Sequence, residues 1–383
     1  MIKFSNRTKL LIYVFFSSIL LFNFYRFLDN NLANGNEFQI AGWLINYNHG
    51  FTRRGLFGSL IINFLDSPFS LNLFLALILS LLYLYIVLGI LKIFFSNDQN
   101  LISIIILFSP AFYLYNFWDF TGSYRKEILG IAVIVYLLKN LKSSNQIKII
   151  LISTFLLNFS IYSSEVNLFF IFSFWYILKT NFKEVSLILK NALVFGSVLT
   201  FFVIYFFNSL IFNSNLFIGS KLCNQLISIG YDSKICDGAL YYLDLSTVDT
   251  VYRTLNYVSD SYYDYRIYVF LFIYFFIPLL LDKNFYRQNN FVLLNFINFI
   301  PLFLIANDWG RWFYIFFVIT GLNYLVSEKN RIEFNINKVS VLFITIYLTS
   351  YRLNHCCIEK SDPLFLNLLP FNHIFQYLLR LIN

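Results

Sequence analysis

Stretches of roughly 20 apolar residues, enough to cross a hydrocarbon core of about 30 Å as a helix, recur along this chain from Leu10 to beyond Ser340 with only short polar gaps between them. A segment in hydrocarbon must satisfy its own backbone N–H and C=O groups, so such runs are read as helices rather than lone strands. With 58% hydrophobic and 13% charged residues, the 383-residue chain leaves no stretch for a separate soluble domain. The expected fold class is therefore all-α, a polytopic integral membrane protein forming a single multi-span domain over residues 1–383. Helices are predicted near 9–28, 69–95, 100–117, 127–139, 147–163, 165–179, 186–208, 267–282, 290–306, 312–326 and 338–352, which makes about eleven crossings. The first run follows Lys3, Arg7 and Lys9 as in a signal peptide, but no small-residue cleavage site follows it, so it is expected to be retained.

Short cytoplasmic loops are enriched in Lys and Arg. With the N-terminus inside, the inner loops carry mostly lysines, among them Lys92, Lys139, Lys148, Lys183 and Lys190. The outer segments carry mostly arginines, including Arg26, Arg53, Arg54, Arg125, Arg253 and Arg311. Lysine serves as a general topogenic charge, whereas the planar guanidinium grips phosphate or carboxylate with two hydrogen bonds. Outer arginines that oppose the positive-inside bias are therefore expected to bind something anionic. Two large extracytoplasmic loops are predicted, at about 29–68 and 209–266, with an outer tail over about 353–383. Cys223 and Cys236 share the second loop, where an oxidising compartment would let them close a disulfide worth about 3 kcal/mol in the chain-entropy account. Their spacing is not that of a metal site and no histidine is near, so no metal is expected. Cys356 and Cys357 are adjacent, are not expected to bond each other, and are read as free or lipid-facing.

Polar chemistry concentrates at four places. In NYNHGFTRRGLFGSL, Asn46 to Leu60, Gly50, Gly55 and Gly58 bracket Arg53 and Arg54. Glycines let backbone turn or approach a ligand, and paired arginines suit a diphosphate; the alternative is an interfacial helix whose arginines meet lipid headgroups. His49 in this motif is the histidine proposed as a catalyst. In FWDFTGSYRKEILG, Asp119, Arg125, Lys126 and Glu127 crowd the start of an apolar run, as an anion site at a helix N-terminus or as plain capping. In NDWGRWFYIF, Asp308 and Arg311 stand between Trp309 and Trp312, either as a local ion pair or with Asp308 orienting Arg311 in a cationic pocket. Glu165 lies against strongly apolar sequence, so it must face a partner or water, and it is the candidate general acid or base, with an outer arginine as the other possible partner.

Other classes are poorly supported. The cations are spread over many loops rather than one face, against nucleic-acid binding. No P-loop, dinucleotide Gly-rich loop, H-E-x-x-H or G-x-S-x-G occurs. No internal repeat and only six prolines argue against a secondary transporter.

Many helices, outer loops with arginines between glycines, a membrane-edge Glu165 and the late D-W-G-R-W together resemble the polytopic bacterial membrane proteins of surface-polysaccharide assembly. The closest resemblance is to the Wzy-type O-antigen or capsule repeat-unit polymerases. It implies an enzyme of the cytoplasmic (inner) membrane of a bacterium, N-terminus cytoplasmic and C-terminal tail extracytoplasmic, acting in lipopolysaccharide or capsule synthesis. Such enzymes join oligosaccharide units carried on undecaprenyl diphosphate at the outer face. On this chain Arg53, Arg54, Arg125 and Arg311 match the arginines that meet the anionic substrate, with Lys126 and Asp308 beside them and Glu165 or His49 as base. The implied partners are lipid-linked oligosaccharide, membrane lipids and other polysaccharide-assembly proteins, with no cofactor. The chain is more loosely similar to membrane glycosyltransferases using polyprenyl-phosphate sugars, which place acidic residues in the first outer loop; Asp29, Glu37 and Asp66 lie there without forming an acidic pair. A transporter or flippase of the lipid-linked unit and a purely structural subunit are the competing readings.

Overall fold

All regular structure among the described residues is helical, which lets each segment satisfy its own backbone N–H and C=O groups. The computed structural model describes residues 4–52, 54–64, 67–97, 100–211, 217–260, 262–280, 289–326, 347–348, 353 and 355–356. Four helices among them are long and apolar enough to cross a membrane: α1 (Asn6–Asn31), α4 (Pro68–Ser96), α8 (Gln146–Ser163) and, within α10 (Leu187–Ile211), the stretch Leu187–Phe206. Their surfaces fit that role. Leu10, Leu21, Leu81, Ile188, Phe195 and Phe206 are exposed apolar side chains, which lipid can cover and water cannot without cost. The predicted helix at 338–352 lies outside the described residues apart from Tyr347 and Leu348, as does nearly all of the tail after 353.

The predicted run 100–117 is not one helix. Asn100 caps α5 (Leu101–Leu107) by accepting the Ser103 N–H at 2.8 Å, and the helix ends short of Pro110, which has no N–H to donate and disfavours helix before it. Turns follow, then the single helical turn α6 (Tyr115–Trp118). The predicted 165–179 helix opens as a 3-10 turn (Glu165–Phe170), because Ser164 is extended, and only then becomes α9 (Ile171–Asn181). The predicted outer loops also hold helices: α2 (Gln39–Leu44), α3 (Leu56–Ile61), α11 (Ile218–Ile229) and α12 (Thr247–Asp260).

The chain packs as two compact units. The first comprises Leu10–Lys92 and Tyr124–Thr250. Within it α7 (Glu127–Lys139), α8, the Glu165 turn, α9 and α10 pack on one another. At 13 residues α7 is ~20 Å long, short of a full crossing. Glu127 in its first turn and Lys139 in its last complement the helix dipole. A buried amide network ties the loops to the spans: Asn31 Nδ2 donates to Gln39 Oε1 at 3.1 Å, Asn72 Nδ2 to the Asn31 carbonyl at 2.6 Å, and the Tyr231 hydroxyl to Asn72 Oδ1 at 2.8 Å. Gly230, at φ +110°, ends α11 in a left-handed turn that sends the Tyr231 N–H back to the Leu226 carbonyl. The disulfide Cys223–Cys236 then pins α11 to the 3-10 turn Ser233–Cys236.

The second unit comprises Met1–Lys9, Ile93–Ser123 and Val251–Asn383. At its centre is α15 (Trp309–Val326), apolar all round and buried from Gly310 to Leu325. The helices α13 (Tyr262–Leu280), α14 (Asn289–Ile305) and α5 pack on it. Phe272 of α13 meets Phe313 and Phe316 of α15 at 4.8 and 5.8 Å between ring centroids. Asn100 Nδ2 donates to the Tyr324 hydroxyl at 2.9 Å, joining the start of α5 to the end of α15. Cys356 is disulfide-bonded, which corrects the expectation that it is free; no cysteine among the described residues is.

Replacing both Cys223 and Cys236 by alanine is expected to cost about 2–4 kcal/mol locally. In thermal melts of the detergent-purified protein, reductant should lower the wild-type midpoint much more than that of the double variant.

Candidate functional site

The break after α8 positions the first cluster. The helix stops at Ser163, and Asn167 Nδ2 donates both to the Ser160 carbonyl at 2.9 Å and to the Lys126 carbonyl at 3.2 Å. That second bond brings the Glu165 turn to the start of α7, where Gly130 leaves room for Asn167 and Phe170. The Asn46–Leu60 motif closes the other side. Gly58 lies so close to the Ile45 carbonyl that a side chain would collide with it, and Gly55 is packed under the Tyr47 ring. These two glycines therefore serve packing of the motif on itself. Gly50, at φ +123°, makes the turn.

Arg54, Lys126 and Glu165, from three separate stretches of sequence, come together here. Arg54 Nε donates to both Glu165 oxygens, at 2.9 and 3.0 Å, and Nη2 to Oε1 at 2.8 Å. The pair is partly open, with side-chain exposures of 32% and 19%. Lys126 Nζ donates to the Arg54 carbonyl at 2.6 Å and lies 5.8 Å from the Trp43 ring centre. Trp43 is fixed in turn by donating Nε1–H to the Tyr124 carbonyl at 2.7 Å. Burial, and next the Arg54 charge, push the Lys126 ammonium down to about 7 against the opposing pulls of Glu165 and Glu127. Arg125, of the same predicted group, lies instead over the Phe38 ring at 5.1 Å. Arg53 lies outside the described residues. His49 Nε2, in the same motif, is buried with no hydrogen-bond partner among the described residues.

A second cluster belongs to the second unit. Arg311 pairs with Asp308 at 2.7 Å across one helical turn and stacks over the Trp312 ring at 4.4 Å. Tyr115 lies within electrostatic reach of Arg311, Asp308 and Asp119 and stacks on Tyr314 at 4.1 Å. Asp119 Oδ2 accepts from the His355 backbone N–H and lies 2.8 Å from His355 Nδ1, while Oδ1 accepts from Gly122 N–H at 2.8 Å and Thr121 Oγ1 at 3.0 Å. Burial pushes the Asp119 carboxyl up, but the His355 ring and the backbone N–H donors of Gly122 and His355 outweigh it and hold it below its usual range. The His355 carbonyl accepts from the Gly310 N–H at 3.0 Å, joining this pair to the start of α15.

The sequence reading does not select His355, and it places Asp119 in the cluster with Arg125, Lys126 and Glu127, as an anion site or as capping. They are 236 positions apart, and nothing local in either segment marks the other. Asp308, His355 and Cys356 bring possible ligand atoms within 4.8 Å of one another. The Cys356 sulfur is held in a disulfide and Asp308 is paired to Arg311, so this trio is not arranged to take a metal. No protein family, curated protein or solved structure matches the chain.

Because Lys126 is held below its ordinary value of 10.5, the unfolded chain binds the extra proton between pH 7 and about 10.5 and the folded one does not. Stability should therefore rise with pH across that window, the burial penalty being in full force below pH 7. Thermal scanning in detergent should show Lys126→Met more stable relative to wild type at pH 6 than at pH 10.

Proposed function

We propose that this chain is a glycan-assembling enzyme of the bacterial inner membrane, with about eleven crossings, that polymerises oligosaccharide repeat units carried on a polyprenyl diphosphate. The observation that carries the reading is the convergence of a partly exposed Arg54–Glu165 pair with the buried Lys126 in a chain otherwise built for lipid. Arg54 is a permanent cation and Lys126 an amine that charges near neutrality, a pairing that suits an anionic head group beside a membrane. In this reading Arg54 and Lys126 meet the diphosphate and neutralise the charge that grows on it as the glycosidic bond breaks. Both Glu165 oxygens accept from Arg54, so Glu165 fixes the guanidinium plane and is a poor base while that pair stands.

The test is the length distribution of surface polysaccharide in cells lacking the chain and complemented at matched expression. Arg54→Ala and Glu165→Gln should give single capped repeat units without a ladder. A ladder of normal length missing one sugar per repeat would indicate a single-sugar transferase instead, and a wholly normal glycan in the deletion strain would overturn the reading.

A further inference from the structure

We propose that α12 lies in the plane of the bilayer surface, its apolar face sunk into the boundary between lipid head groups and acyl chains. The occupant of that face is lipid, and neither a second copy of the chain nor another protein.

The sequence specifies this helix and divides it lengthwise. Ser246 caps it reciprocally: its Oγ accepts from the Asp249 N–H at 3.1 Å and donates to Asp249 Oδ2 at 2.6 Å. Val248, Val251, Tyr252, Leu255 and Val258 then follow at i, i+3, i+4, i+7 and i+10, which is one stripe of an α-helix. Asp249, Arg253, Asn256 and Asp260 fall on the other side. Val248, Tyr252 and Leu255 are 77, 66 and 51% exposed, and Thr254, off the stripe, is the one buried side chain of α12 among the described residues.

Two observations name lipid as the cover. A 14-residue helix is marginal alone in water and draws its stability from burial of an amphipathic face, which the protein itself does not provide here. Chain continuity then fixes where the helix is. One residue separates α12 from α13, so the Cα atoms of Asp260 and Tyr262 lie within about 8 Å of each other. The sequence opens α13 with YYDYR, tyrosine-rich as at a membrane–water interface, before the apolar run begins. Val269, Phe270, Ile273, Ile277 and Leu280 stand exposed along one stripe of that run, as on a helix whose outward face lipid covers. The C-terminal end of α12 is thus tethered at the level of the head groups. With two aspartates, one arginine and no lysine, α12 is not drawn to anionic lipid, so apolar burial is what holds it there.

The test places nitroxides on the full chain in phosphatidylcholine nanodiscs, attached through p-acetylphenylalanine so that the cysteines stay as they are. EPR then compares collisions with oxygen, which concentrates in lipid, and with a water-soluble nickel chelate. Labels replacing Val248, Tyr252 and Leu255 should favour oxygen, at about 5–10 Å into the head-group and acyl boundary, and those replacing Asp249, Arg253 and Asn256 should favour nickel. Added phosphatidylglycerol should leave the pattern unchanged. Nickel favoured at all six positions puts the helix in water, and few collisions with either reagent at the apolar three puts it against protein; either result overturns the proposal, as does a pattern that appears only with phosphatidylglycerol. A second measurement uses Tyr252→Gln with Leu255→Gln, which removes apolar surface without lowering helix propensity. In hydrogen exchange of the same nanodiscs, amides of α12 should exchange roughly 10-fold faster or more while those of α8 stay as they were. Unchanged exchange in α12 overturns the proposal.

Discussion

Glu165 is a carboxylate set at a break between two apolar helices, and much of the first unit is arranged around its need for a cation. An uncompensated charge at such a place would cost several kcal/mol. The extended Ser164 turns the chain out of α8, Asn167 fastens the turn to the start of α7, and Arg54 is delivered by a motif whose glycines let it fold tightly on itself. Three contacts between guanidinium and carboxylate then close the arrangement. The charge pair and the Asn167 bonds to the Ser160 and Lys126 carbonyls together hold the α8–α9 connection in its broken form.

The second unit solves a different problem. Its central helix, α15, has no polar face to spend on solvent, so it is enclosed by α5, α13 and α14 through aromatic contacts. Enclosure leaves its first turn as the natural place for polar groups: Asp308 and Arg311 pair there, and the Gly310 N–H, free of an intrahelical partner by position, is taken by the His355 carbonyl. The same backbone bond that satisfies the helix end thus sets His355 beside Asp119.

The long apolar helices were legible because hydropathy over roughly 20 residues is a strong signal. Pro110 was also in view, and the run across it failed because hydropathy alone does not register a missing N–H. The Cys223–Cys236 pairing followed from compartment and proximity, and Glu165 stood out because its neighbours are apolar. Its partner could not be read, since Arg54 lies 111 positions away. The packing constraint on Gly55 and Gly58 comes from Tyr47 and Ile45, a tertiary fact that the local sequence does not carry. Asp119 and His355 were the least legible, for each is ordinary in its own segment and only the fold gives the pair meaning.

The choice of cation types in the first cluster has a physical logic of its own. Arginine stays charged at any relevant pH, so Arg54 can serve as the permanent partner of Glu165. A second permanent charge buried beside it would repel it without relief. Lysine can give up its proton, and Lys126, buried and facing Arg54, is placed where it does so near neutrality. An anion arriving at the pair would favour the protonated amine again, so on the proposed reading binding a diphosphate and taking up a proton reinforce one another. The resting cluster then carries little excess charge, and the positive charge that grips the substrate is assembled in part by the substrate itself.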